Sequence, residues 1–158
     1  FRRRTERTGD DNMAPMKLEI ITAERVVYSD DVDLVVAPGS EGELGILPLH
    51  APLMTSLQPG EIRVRKDGED VFLAVSGGFL EMMANRVTIL ADAAERSDEI
   101  DEARVQEAIK RGEERLAMRA SDMDMERAVA SLRRSQTRLK VVQRRRTRAS
   151  VPPGQSQQ

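Results

Sequence analysis

The stretch from Pro38 to Gly60, PGSEGELGILPLHAPLMTSLQPG, restricts the fold more than any other part of the chain. Both ends are punctuated by Gly and Pro, Glu41 and Glu43 sit on a glycine-rich turn, and the apolar run Ile46 to Leu57 is broken by Pro48 and Pro52. Each proline removes a backbone donor and fixes φ, so neither a helix nor a long strand survives that spacing. The segment is expected to be a rigid, looped connection between short strands.

The flanking text agrees. From Met16 to Leu90, short β-type runs alternate with turn residues: KLEII, RVVY, VDLVVA, EIRVR, VFLAV, FLEMM and RVTIL, with GIL and LMTSL inside the proline-rich segment. Ile62 to Arg65 alternates, Lys66-Asp67-Gly68-Glu69 turns and Val71 to Val75 returns, which predicts a hairpin. Runs this short, with turns this frequent, predict a two-sheet sandwich or flattened barrel.

At Ala91 the period changes. Ser97-Asp98 offers an N-cap, with Glu99, Asp101 and Glu102 placed where a helix dipole favours anions. Val105, Ala108, Ile109, Gly112 and Leu116 then form a helical apolar stripe. A second start at Ser121-Asp122 precedes Met125, Ala128, Val129, Leu132, Leu139 and Val142 at the same kind of spacing. Two amphipathic helices joined by a short turn lie antiparallel, as an αα-hairpin. The predicted class is α+β: a flexible extension over 1–15, a β-sandwich over 16–94, a helical hairpin over 95–143, and a basic then disordered tail over 144–158. Both stripes are narrow and rich in Ala, Met and Gly, so the hairpin docks weakly. A movable hairpin on a rigid sandwich and a permanently packed pair are both compatible with the periodicity.

Composition removes several function classes. The chain has no cysteine and one histidine, which excludes a disulfide framework and argues against zinc. Aromatic content is 3% and Trp is absent, leaving little with which to stack nucleic-acid bases. No run of about 18 apolar residues spans a membrane, and FRRRTERTGDDN lacks the apolar region of a secretory signal. These features point to the cytosol or a cytosol-facing surface. No catalytic constellation emerges: His50 has no Ser or Cys nucleophile near it in sequence, and the glycines of GSEGELG lack the Lys-Ser/Thr of a phosphate loop.

Charge is distributed unevenly. Residues 16 to 96 carry 7 basic and 14 acidic groups, residues 97 to 150 carry 14 basic and 10 acidic, and no acidic residue follows Glu126. Asp101, Arg104 and Arg111 recur along the first predicted helix, and Arg127, Arg134 and Arg138 along the second. Folded together, these guanidiniums can converge on one polyanion, because a planar guanidinium suits bidentate phosphate contacts. The competing reading is a solvated charged face with pairs such as Glu107 to Arg111.

PGSEGELGILPLHAPLMTSLQPGEIRV, followed by LAVSGGFLEMMANRVTILADAAERSDEID, resembles the epsilon subunits of bacterial and chloroplast F-type ATP synthases, the counterparts of the mitochondrial delta subunit. The resemblance runs from Met16 to about Val142. It implies a ten-stranded β-sandwich that binds the gamma subunit and the c-ring, followed by a hairpin that folds down on the sandwich or extends beside gamma. In the extended form, the hairpin blocks ATP hydrolysis by the alpha/beta hexamer. The subunit implied is non-catalytic, needs no metal, and sits peripherally on the cytoplasmic face of the plasma membrane or the equivalent face of another energy-converting membrane. Glu41, Glu43 and His50 correspond to its rotor interface. Arg133, Arg134, Arg138 and Lys140 would meet the catalytic subunits.

Some family members bind regulatory ATP in the folded hairpin through an I/L-D-x-x-R-A motif. This chain has Ile100-Asp101-Glu102-Ala103-Arg104-Val105, with Glu95, Arg111, Arg134 and Arg138 at the accessory positions. Val105 stands where the motif has Ala, and its two extra methyls would crowd a base or ribose. Two rivals belong to other classes: a free-standing nucleotide-sensing module, and salt-dependent nucleic-acid binding by the basic tail; the acidic sandwich and the missing aromatics argue against the second, and no nucleic-acid partner is expected.

Overall fold

The computed structural model of the protein describes residues 14–118 and 122–149. Residues 1–13 of the expected extension, the expected helix start at Ser121, and residues 150–158 of the expected tail lie outside them. Ten strands are followed by two helices: β1 (Met16–Ile21), β2 (Val26–Val32), β3 (Leu34–Gly39), β4 (Gly42–Ile46), β5 (Leu53–Leu57), β6 (Gly60–Lys66), β7 (Glu69–Val75), β8 (Gly78–Met83), β9 (Arg86–Ala91), β10 (Ala94–Arg96), α1 (Glu102–Ala117) and α2 (Asp122–Ala149). The strands run β10-β7-β6-β3-β5-β8-β9-β1-β2, with β4 paired to β3. This sheet folds over so that β2 packs against β6 and β10, giving the expected sandwich.

Alternation decides which side chains meet inside. Leu18 and Ile20, Ile62 and Val64, Leu80 and Met82, and Val87 and Ile89 are all buried, while their strand neighbours face outward. The pleat gives each strand one apolar face, and folding the sheet brings those faces together. Tight turns hold the register. Asp67 and Gly68 both take positive φ between β6 and β7, as do Ala84 and Asn85 between β8 and β9, the backbone that two-residue hairpins require.

The proline segment is strand and turn in alternation. Pro38 and Gly39 end β3, β4 folds back on it, and Pro48 and Pro52 fall in the connection to β5, where they interrupt no ladder. Leu49 has φ 63 in that connection, and its N–H is held by the Asn85 carboxamide oxygen at 2.9 Å.

Three boundaries differ from the sequence reading. The sheet continues past Ala94, because β10 pairs antiparallel with β7 through Glu95 and Arg96. The first helix starts at Asp101, not at Ser97-Asp98. The Ser97 N–H is committed to the Phe72 carbonyl at 3.0 Å, whereas the Asp101 carboxylate accepts from the Arg104 N–H at 3.1 Å. The second helix does not end near Val142; it runs on through the arginines to Ala149.

The helices pack against each other in antiparallel fashion. They meet closely at Gly112, where a Cβ would lie 3.4 Å from the Leu132 side chain. Val105 and Val142 of the predicted stripes are buried, and Val141 and Ser135 join them. The hairpin docks on the outer face of β7. Phe72 and Ala74 form a small second core there with Ile100, Val105, Val141 and Val142. Val75 and Leu73, in the same strand, belong to the sandwich core instead. Burial on both faces accounts for the unbroken apolar run VFLAV.

Candidate functional site

A cavity of about 590 Å³ lies between the sandwich and the hairpin. That is large enough for a nucleotide-sized ligand. The sheet side supplies Ala74, Val75, Ser76, Asp92 and Glu95, the β1–β2 turn supplies Arg25, and the helices supply Ala108, Ser131, Arg134, Ser135 and Arg138.

Two of its three arginines are already engaged. Arg138 grips Glu95 with both prongs, its Nη2 donating to Oε1 at 2.9 Å and its Nε donating to Oε2. Arg25 donates to both carboxylate oxygens of Glu99, at 3.1 and 2.8 Å, and this contact holds the Glu99 carboxyl below the usual carboxylate range. Arg134 lines the cavity without an ion partner among the described residues. A small, partly apolar chamber with one uncommitted guanidinium and two exchangeable ones suits an anion carrying an apolar or aromatic body.

The residues singled out by the ATP motif divide. Glu95, Arg134 and Arg138 come together on the cavity wall. Ile100 is buried in the core under the hairpin, Asp101 caps α1, Arg104 is exposed, and Arg111 faces Glu107 at 3.8 Å one helical turn away. Val105 is fully buried against Phe72 and Val141, so its methyls pack the hairpin onto the sheet and do not narrow the cavity.

The expected rotor-facing residues are exposed. Glu41 lies in the β3–β4 turn and Glu43 in β4 opposite Pro38, and the His50 Nδ1 donates to the Ala51 carbonyl at 2.7 Å. Of the residues expected to meet catalytic subunits, Arg133, Arg134 and Lys140 are exposed and Arg138 is half-buried.

Sequence reasoning missed Arg25, Asp92, Ser131 and Ser135, which reach the cavity only through tertiary packing. It also missed an apolar patch on the opposite layer. Met54 of β5, Phe79 and Met83 of β8, and Leu90 of β9 point outward and are each more than half exposed, with Phe79 in register with Leu90. The signal was present in the strand text, since FLEMM and RVTIL place apolar residues on both faces.

Family profiles match nearly the whole described chain: the ATP synthase delta/epsilon chain β-sandwich domain over residues 15–97, and its long alpha-helix domain over 98–143. The chain belongs to the ATP synthase delta/epsilon family. It is 54% identical to the ATP synthase epsilon chain of Herpetosiphon aurantiacus over 134 residues, 85% of this chain and 98% of that one. It is also 54% identical to the epsilon chain of Dehalococcoides mccartyi strain CBDB1 over 140 residues, 88% of this chain and 100% of that one. Among solved structures, a chain of the Euglena gracilis mitochondrial ATP synthase OSCP/F1/c-ring assembly superposes with a TM-score of 0.62 at 20% identity, covering 94% of this chain and 91% of that one. A chain of the Tetrahymena thermophila central stalk/c-ring structure gives 0.53 at 15% identity, covering 81% and 96%. At such identities these two share the fold. Among the described residues, no helix is long and apolar enough to cross a membrane.

Proposed function

We propose that this delta/epsilon-family chain is a non-catalytic subunit of the rotor of an F-type ATP synthase, linking gamma to the c-ring and restraining ATP hydrolysis through its hairpin. The observation that carries the reading is the use of the sandwich's two outer faces. One is covered by the chain's own hairpin over a small core, and the other presents Met54, Phe79, Met83 and Leu90 to solvent. An apolar patch of this kind marks a protein interface, and gamma is the partner proposed for it. Glu41, Glu43 and His50 are proposed to face the c-ring.

Hairpin release follows from the same layout. The second core is small beside that of the sandwich, so undocking leaves the β domain intact. Extended, Arg133, Arg134, Arg138 and Lys140 would meet acidic segments of the alpha/beta hexamer, with charge setting orientation and encounter rate. ATP in the cavity, held by Arg134 and Arg138, would favour the docked state because the site exists only there. The chain would reach the membrane only through the complex, on the cytoplasmic or equivalent face.

Co-purification with the cognate gamma subunit tests the assignment. The unaltered chain is expected to form a stable complex. Phe79→Asp, which sets a charge in the centre of the patch, is expected to weaken association at least tenfold, measured by titration, without altering the fold. Failure of the unaltered chain to associate would remove the assignment.

A further inference from the structure

We propose that Arg144 and Arg146, in the arginine-rich end of α2, form a latch that holds the hairpin on the sandwich, Arg144 by neutralising a carboxylate that docking buries. This segment lies beyond residue 143, where the match to the family's helical domain ends. The proposal rests on the reading that the hairpin leaves the sheet.

The outer face of the sheet carries two acids in one row. Glu61 of β6 and Glu95 of β10 are both in register with Ala74 of β7, one on each side. Side chains in one cross-strand row share a face, so both carboxylates lie under α2. Glu95 receives Arg138, as described above. Glu61 receives Arg144, whose Nη1 is 3.3 Å from Oε1 and whose guanidinium carbon lies 5.7 Å from the centroid of the Phe72 ring.

Glu61 is the demanding member of the row. Its side chain is only 13% exposed, and its Oε2 is buried without a hydrogen-bond partner among the described residues. Burial pushes its pKa up, while Arg144, Lys140 and Arg63 pull it down and Glu43 adds to the rise. The net direction is upward, so the ion pair reduces the cost of burial without cancelling it. Loss of the nearest counter-charge to a buried carboxylate is destabilising, moderated for Glu61 by Lys140 and Arg63, which remain. Docking α2 is therefore tolerable because Arg144 arrives with it. Two residues on, the Arg146 Nη2 lies 2.8 Å from the Oε2 of Glu102, the first residue of α1, an ion pair by distance that lacks hydrogen-bond geometry. That contact ties the two helices together at the end remote from their connection, where a hairpin frays first.

The chain contains no cysteine, so Ser29→Cys on β2 and Gln136→Cys on α2, both exposed, give a spin-label pair that reports the distance of the hairpin from the sandwich. Arg144→Gln is expected to raise the undocked fraction roughly fivefold, and Arg146→Gln about twofold. In a Glu61→Gln background, which needs no counter-charge, Arg144→Gln is expected to lose most of its effect. An undocked population that Arg144→Gln leaves unchanged would overturn the latch while sparing the mobile hairpin. So would an undiminished effect in the Glu61→Gln background, which would assign Arg144 to the Phe72 ring. A single short distance in every chain, at high salt as well as low, would remove undocking itself and the latch with it.

Discussion

Asp101 shows how one residue can satisfy two readings. The motif resemblance makes it a nucleotide contact, whereas the geometry makes it the N-cap of α1, accepting the Arg104 N–H at 3.1 Å. Loss of a cap costs about 1 kcal/mol, confined to the helix it starts. Asp101→Ala is therefore expected to speed hydrogen exchange of the first-turn amides of α1 about fivefold and to leave the sandwich amides unchanged, while Asp101→Ser restores protection. Unaltered exchange in the Ala variant would return Asp101 to a purely binding role. From the sequence alone the start falls at Ser97-Asp98, with Asp101 inside the first turn. The choice was settled by a bond to a residue 25 positions earlier, from the Ser97 N–H to the Phe72 carbonyl, which local chemistry does not reveal.

At the level of elements, strands with clean alternation were legible, and those whose reason for existing lies elsewhere were not. β10 is three residues long and two of them are charged, so it has no periodicity to detect; pairing with β7 creates it. The extension of α2 to Ala149 is not legible in the sequence, because no apolar stripe continues there. Arginine is nevertheless a good helix former, and Arg144 and Arg146 find acids on β6 and α1. The same logic applies to the cavity, whose walls come from elements far apart in sequence. If it holds ATP, calorimetry on the full chain is expected to show binding that Arg134→Ala weakens by tenfold or more and that Arg104→Ala, outside the cavity, changes by less than threefold. Equal losses for both variants would mean that the nucleotide sits elsewhere.

For the whole molecule, the sandwich, the hairpin and their order were legible in the pattern of residues, because each depends on periodicity within a segment. The position of the hairpin on the sandwich depends on matching surfaces, and its trace in the sequence was slight: the unbroken VFLAV run of a strand buried on both faces, and the spacing of arginines on α2. In the proposed function that position carries the consequence: a hairpin held by Phe72, Ala74 and a few ion pairs would leave without disturbing the twenty buried residues of the sandwich core. The most direct measurement is ATP hydrolysis by the purified synthase complex containing either the full chain or a chain ending after Ser97, which keeps all ten strands. The truncated chain is expected to assemble normally and to raise hydrolysis severalfold. Normal assembly with unchanged hydrolysis would contradict an inhibitory hairpin.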